Sequence, residues 1–273
     1  MTAPLLWVAA DALAAAGPGQ TLSVGGEEAR HAVTVRRLRP GEPVLLSDAA
    51  GRLGHATVAA VVPGPRPRLT ALVASVEVVA ERRPRLVLVQ ALAKQRRDEG
   101  AVAAAACLGV DAIIPWQADR SLPRWAGAKA TAGVERWRAL ARAEAQVARR
   151  PRIPAIDALM DTAGLASRLA GEIAAGRARG IVLHEDASGG LAAALQGEVA
   201  PGPAEDGGPG PRAAGEAVYL LAGPEGGIGG DELARLTAAG CRPARLGPEI
   251  LRAGLAGPAA LAVASHLLGR WAR

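Results

Sequence analysis

A change of pattern near residue 80 constrains the fold more than any other feature of this chain. From residue 86 onward, short apolar runs alternate with helical stretches. Residues 86–89 read as a buried strand, 98–108 as a helix ending at Gly109, and 112–114 as the next strand. A long helix is predicted over about 133–148, with Trp137, Leu140 and Val147 at spacings that share one face. Further on come a helix over 157–175, strands over 181–183 and 218–221, a helix over 231–239 ended by Gly240, a short strand reaching Leu246, and a helix over 250–270. Strands alternating with helices predict an α/β layer fold with a mostly parallel sheet. Pro201 to Pro211 holds four Pro and four Gly and reads as a mobile loop.

Residues 1–80 follow another pattern. Val33 and Val35 alternate with polar neighbours, and short apolar runs over 44–46, 54–62 and 69–79 are separated by turns at 39–43, 47–52 and 63–67. Short strands at this spacing predict a small β-barrel. Residues 81–85 read as a linker, so the expected division is 1–80 and 81–273.

Composition narrows the class. Half the residues are hydrophobic, enough for a packed core, which excludes a mainly disordered chain. No uninterrupted apolar run is long enough to span a bilayer. The apolar stretch from Met1 to Gly17 has no basic start and carries Asp11, so it reads as structure and not as a signal peptide. Cys107 and Cys241 are too few for a disulfide framework or a zinc cluster and read as buried apolar fillers. A soluble cytoplasmic protein is expected, with no membrane partner. All but Lys94 and Lys129 of the 32 basic residues are Arg, a bias that a GC-rich genome would produce unaided. The position of the charges is therefore more informative than their number. Residues 82–97 carry six basic and no acidic side chains, and 136–152 carry six against the single Glu144. Such patches neutralise phosphates. A charged linker and a solvated helix face would look the same.

The densest chemistry follows strand 218–221, where Ala222-Gly223-Pro224-Glu225-Gly226-Gly227-Ile228-Gly229-Gly230-Asp231-Glu232-Leu233 forms a strand, a Gly-rich turn and a helix start. Alone it could be a tight crossover turn. It matches neither a Walker loop nor the dinucleotide fingerprint. Downstream, Leu246-Gly247-Pro248-Glu249-Ile250-Leu251-Arg252 again leads from a strand into a helix. Two such loops at the carboxyl ends of neighbouring strands are where an open α/β sheet binds a ligand.

Gly-Pro-Glu-Gly-Gly-Ile at 223–228, followed by Leu-Gly-Pro-x-Ile-Leu-Arg at 246–252, resembles the RsmE-type 16S rRNA uridine-N3 methyltransferases of the SPOUT superfamily. The resemblance extends over nearly the whole chain. His31-x5-Arg37-Leu38-Arg39-Pro40-Gly41-Glu42 with Asp48-x2-Gly51 is similar to that family's N-terminal RNA-binding barrel of PUA type. Lys94 with Leu108-Gly109-Val110-x3-Ile114-Pro115 is similar to its first βαβ unit, and Glu135-Arg136-Trp137 with Arg149-Arg150-x2-Ile153-Pro154 to its basic central helix. One segment departs: where the family has Thr, then Glu or Ser, then Thr-Ala after Leu-Arg, this chain has Ala253-Gly254-Leu255-Ala256.

The resemblance implies a C-terminal SPOUT-type α/β domain with a trefoil knot, a small N-terminal PUA-like β-barrel, a homodimer, and S-adenosyl-L-methionine as cofactor. It places the cofactor on Leu183, His184 and Glu185, on Leu221, Ala222, Gly223, Pro224, Glu225, Gly226 and Gly227, and on Leu246, Gly247, Pro248, Ile250 and Leu251. Arg252 is the candidate catalytic residue, stabilising the uracil anion; a salt bridge to Glu225 or Glu249 is its other reading. The implied partner is 16S rRNA in the 30S ribosomal subunit. It would be held by Arg30, His31, Arg36, Arg37 and Arg39, by Lys94, Arg96 and Arg97, and by Arg149, Arg150 and Arg152. A SPOUT methyltransferase for another rRNA or tRNA site, and a non-catalytic RNA-binding or assembly factor, are the alternatives.

Overall fold

A computed structural model describes residues 3–196 and 217–272. The loop expected over Pro201 to Pro211 lies outside the described residues. The chain forms two compact units, Met1–Glu81 with Arg142–Ile153, and Arg82–Ala141 with Pro154–Arg273.

The first unit contains β1 (Leu5–Trp7), α1 (Ala12–Ala15), β2 (Thr21–Val24), α2 (Gly26–Arg30), β3 (Pro43–Ser47), β4 (Arg52–Val62) and β5 (Arg68–Val78). The strands form one sheet in the order β1-β3-β4-β5-β2. Among the described residues no pairing joins the edge strands β1 and β2 of this sheet. Val33 and Val35, expected in a strand, lie instead in a π-helical turn, His31–Val35, that continues α2. Their alternation is the partial exposure of a helix, with Ala29 and Ala32 facing the core. Trp7 is buried beside Ala145, under the guanidinium of Arg142 at 5.2 Å.

Asp48 builds the turn between β3 and β4. Its buried carboxylate accepts the N–H groups of Ala50 (2.8 Å) and Arg52 (3.0 Å). Burial pushes this carboxyl up, but those N–H groups and the Arg52 guanidinium outweigh it and hold its pKa below the usual value. A depressed folded pKa stabilises above the unfolded value, and that contribution is lost as pH falls through the folded one. Asp48→Ala is expected to cost the first unit about 1.5–3 kcal/mol near neutral pH, with the difference from wild type shrinking below about pH 4. Urea unfolding at pH 7 and pH 3 checks both.

The second unit contains β6 (Arg85–Ala91), α3 (Arg97–Leu108), β7 (Ala112–Gln117), α4 (Ala128–Val147, its last residues counted with the first unit), β8 (Ala155–Ile156), β9 (Met160–Asp161), α5 (Thr162–Ala174), β10 (Ala178–Leu183), α6 (Leu191–Gln196), β11 (Ala217–Ala222), α7 (Gly230–Ala238), β12 (Arg242–Ala244) and α8 (Ala253–Leu267). The sheet runs β12-β10-β11-β6-β7-β8, with β9 also on β7, and every pairing is parallel. Both of its faces are covered, which is why residues 86–89 of β6 and 218–222 of β11 are buried without a break rather than alternating. Leu86, Leu88, Val218 and Leu220 pack on one face with α3, α4 and α8. Val87, Val89, Tyr219 and Leu221 pack on the other with α5 and α7.

Several boundaries move for local reasons. α3 ends as expected at Gly109, whose φ of 97° suits a residue without Cβ. α5 begins at Thr162 and not 157, because the Asp161 side chain caps it by accepting the Gly164 N–H at 2.8 Å. In α4 the buried line is Val134, Trp137, Ala141 and Ala145, while Val147 is exposed, so it does not share the face of Trp137. Cys241 is buried as expected, but Cys107 is exposed. No helix among the described residues is long and apolar enough to cross a membrane.

Candidate functional site

The carboxyl ends of β10, β11 and β12 open into one cleft of about 550 Å³. The two Gly-containing loops do not follow neighbouring strands, as the sequence suggested. They follow β11 and β12, and β10 lies between them. The end of β10 therefore forms the middle of the cleft, with Leu183, His184 and Glu185 between the two loops. Gly223, Pro224, Glu225 and Gly227 line one wall, and Leu246, Gly247, Pro248, Ile250, Leu251 and Arg252 the other. Leu221 and Ala222 are buried in β11 and do not line it. Gly226 faces an adjoining cavity.

Arg252 is the N-cap residue of α8 and exposed on the cleft. Among the described residues it forms no ion pair. Glu225 is engaged elsewhere: it accepts the Lys94 N–H at 3.1 Å and faces the Arg97 guanidinium at 3.5 Å. The turn that brings Lys94 and Arg97 there is unusual, with Gln95 and Arg96 both in the left-handed region at φ of 53° and 58°. Asp98 anchors it from below by accepting the Ala93 N–H at 3.2 Å. Burial pushes the Asp98 carboxyl above its usual value, partly offset by its backbone hydrogen bonds.

Arg97, grouped by its sequence with the phosphate contacts, thus lines the cleft. Lys94 and Arg96 are exposed nearby, Arg96 being 3.9 Å from Glu99. In the first unit Arg36, Arg37 and Arg39 are exposed, and Arg36 donates to His31 at 3.2 Å. Arg30 is paired with Glu27. Arg149 is exposed and Arg150 half-buried. Arg152 is held inside its unit, donating to the carbonyls of Ala50 and Val79, the latter at 2.8 Å. Asp186, Arg245 and Ala256 also line the cleft without having been predicted.

A family model described as an RNA methyltransferase domain matches residues 81–265, and one described as an RNA methyltransferase PUA domain matches 24–62. A relative from Mycobacterium bovis, ribosomal RNA small subunit methyltransferase E, is 40% identical over 93% of this chain and 89% of its own length. The chain belongs to the ribosomal RNA small subunit methyltransferase E family. A Mycobacterium tuberculosis member of the same name matches equally well. The fold is that of the methyltransferase E from Neisseria gonorrhoeae bound to S-adenosyl methionine, at 21% identity, a TM-score of 0.75, and 97% and 98% coverage of this chain and that one. A putative methyltransferase from Legionella pneumophila with bound cofactor gives a TM-score of 0.72 at 22% identity, covering 97% and 98%.

Against the methyltransferase E pattern, the altered segment of this chain has a steric counterpart. A Cβ on Gly254 would lie 2.6 Å from the backbone oxygen of Arg97, so α8 approaches the Lys94–Arg97 turn more closely than a side chain permits. Gly254→Glu, which restores a family-type residue, is expected to lower stability by about 1–3 kcal/mol instead of improving the site. Thermal unfolding of the variant beside wild type measures this.

Proposed function

We propose that this protein transfers a methyl group from S-adenosylmethionine to N3 of a uridine in 16S rRNA, acting on the small ribosomal subunit. The observation that carries the proposal is the cleft at three strand ends, walled by two glycine loops, in a chain so similar to an rRNA small subunit methyltransferase E. The residues suit that cofactor. The volume falls within the range of small-molecule sites, and the lining mixes apolar Leu183, Leu246, Ile250 and Leu251 with backbone groups that glycines leave accessible. When bound, the cofactor supplies an electrophilic sulfonium methyl. The chain's part is to hold the uracil in line with it and exclude water. Uracil N3 carries a proton near neutral pH, and the Arg252 guanidinium lowers the cost of losing it by stabilising charge on the uracil oxygens.

In this reading residues 1–80 form the RNA-binding module and 81–273 the transferase, consistent with the two matched models. Arg36, Arg37 and Arg39, Lys94 and Arg96, and Arg149 supply exposed cations for rRNA phosphates. A trefoil knot is supported by the path of the chain, which leaves β12 at the sheet edge and returns as α8 across β11 and β6 onto α3. A homodimer is supported by the exposed apolar residues Leu255, Val263, Leu267 and Trp271 along and just beyond α8. Incubating the protein with S-adenosylmethionine and unmethylated 30S subunits, then analysing nucleosides by mass spectrometry, tests the function. N3-methyluridine is expected. A folded protein that binds rRNA but not S-adenosylmethionine would overturn the proposal in favour of an RNA-binding factor.

A further inference from the structure

N3 of uracil lies between two carbonyl groups, so charge left on it by a departing proton spreads to an oxygen on either side. One guanidinium reaches one of those oxygens, and the other needs a donor from a second direction. Arg97, the first residue of α3, lines the cleft together with Arg252. The two elements that carry them are locked together. A Cβ on Gly254, two residues beyond Arg252, would lie 3.2 Å from the Arg97 Cβ. The fully buried Gln90 of β6 donates to the Ala253 carbonyl at 3.4 Å and so ties the start of α8 to the strand that leads into the Lys94–Arg97 turn. The Arg97 guanidinium donates to the Gln95 side chain at 3.2 Å and faces Glu225 at 3.5 Å, beyond ordinary hydrogen-bond length. Glu225 is itself fixed by the Lys94 N–H. It therefore orients the Arg97 charge without taking its N–H groups, and among the described residues most of those five donors are left for a ligand. The third cation of the cleft, Arg245, follows β12 at the sheet edge, where its backbone pairs with Gly189 and Leu191.

We propose that Arg97 is a second catalytic residue, donating to one carbonyl oxygen of the target uracil while Arg252 donates to the other. The inference rests on the function proposed above and deepens it. The N3–H bond breaks with its proton passing to water. The electron pair left on N3, shared with both oxygens, forms the bond to the methyl carbon, and the pair of the broken carbon–sulfur bond stays on sulfur as a neutral thioether. Charge on the base grows only as the proton leaves, so two donors already in place favour the transition state over the neutral base. An RNA phosphate is a poorer occupant, because it would bring a full negative charge beside Glu185, Asp186, Glu225 and Glu249, four carboxylates in the same cleft. A neutral base enters without that repulsion.

Methylation of unmethylated 30S subunits by wild type, Arg97→Ala and Arg97→Lys, followed from about pH 6.5 to 9.5, tests this, with calorimetric titration of each protein by S-adenosylmethionine. Arg97→Ala should lower kcat about 100-fold near pH 7 with S-adenosylmethionine affinity unchanged. The pH at which its rate levels off should move up by about one to two pH units, because the uracil anion has lost one of its stabilising charges. Arg97→Lys keeps the charge without the planar fork and should recover part of the rate and part of the pH shift. If circular dichroism shows Arg97→Ala unfolded, the lysine variant carries the same reading, with a smaller loss and the same upward shift. A fall in kcat that is equal at every pH overturns the proposal in favour of a structural role. A raised KM for 30S subunits with a weaker salt dependence and an unchanged kcat overturns it in favour of a phosphate contact. Weaker S-adenosylmethionine binding that accounts for the whole loss overturns it as well. If wild type forms no N3-methyluridine, the inference falls together with the function on which it rests.

Discussion

Arg270→Ala is expected to lower the stability of the second unit by about 3–5 kcal/mol. The Arg270 side chain is 2% exposed and its charge is fully used. It donates to the carbonyls of Arg82 (3.1 Å), Pro84 and Gly109 (3.0 Å), and it pairs with Asp111 at 2.9 Å. Asp111 also accepts the Leu86 N–H at 2.8 Å, so the same pair holds the start of β6. Truncation leaves those carbonyls and one carboxylate without their partner, and buried groups that lose a partner cost more than the bond itself contributed. Arg270→Lys retains the charge but not the planar fork, and should fall between the two. Urea unfolding followed by far-ultraviolet circular dichroism measures the series. A loss below about 1 kcal/mol for Arg270→Ala would show that water replaces the guanidinium.

Gly226→Arg is expected to weaken S-adenosylmethionine binding by about 100-fold or more while leaving the fold intact. A Cβ at this position would sit 3.1 Å from the Arg120 Cβ and 3.3 Å from the Arg120 carbonyl oxygen. One of those neighbours is backbone, held by the Glu232 hydrogen bond to Asp119, so the strain falls on the glycine loop itself. Overpacking of this kind costs about 1–3 kcal/mol, and a long cationic side chain at the junction of the two cavities adds steric exclusion of the ligand. Calorimetry shows the loss, and a melting temperature within a few degrees of wild type separates it from unfolding.

The alternation of strands and helices after residue 86 was legible because each buried strand is a run of aliphatic residues and each helix end carries its own signal, as at Gly109 and Gly240. The glycine loops and the carboxyl end of β10 were likewise visible as motifs. What escaped notice is set by distance in the chain. Asp119 and Glu232 are joined only because β7 and β11 end on the same side of the sheet, and nothing in Asp119-Arg120 announces that meeting. Glu232 reads as an ordinary acidic residue in the first turn of a helix, and only the fold turns its side chain inward to Thr162. Val33 and Val35 misled because two residues of strand-like alternation are also compatible with one helical turn. Arg152 looked like its neighbours Arg149 and Arg150, yet its guanidinium is spent on carbonyls from two distant turns. Chemical type was readable in each case, and partnership was not.

The hydrogen bond from Arg270 to the Pro84 carbonyl joins residues 186 positions apart. The first strand of the second unit is therefore secured by a side chain made long after it. Folds dominated by such distant pairings reach their native state slowly, because loop closure must come before the contacts that reward it. During synthesis, β6 leaves the ribosome long before α8 can cover it. The apolar face of Leu86 and Leu88 must wait for that cover, which makes the interval between the two the period of greatest aggregation hazard for this chain.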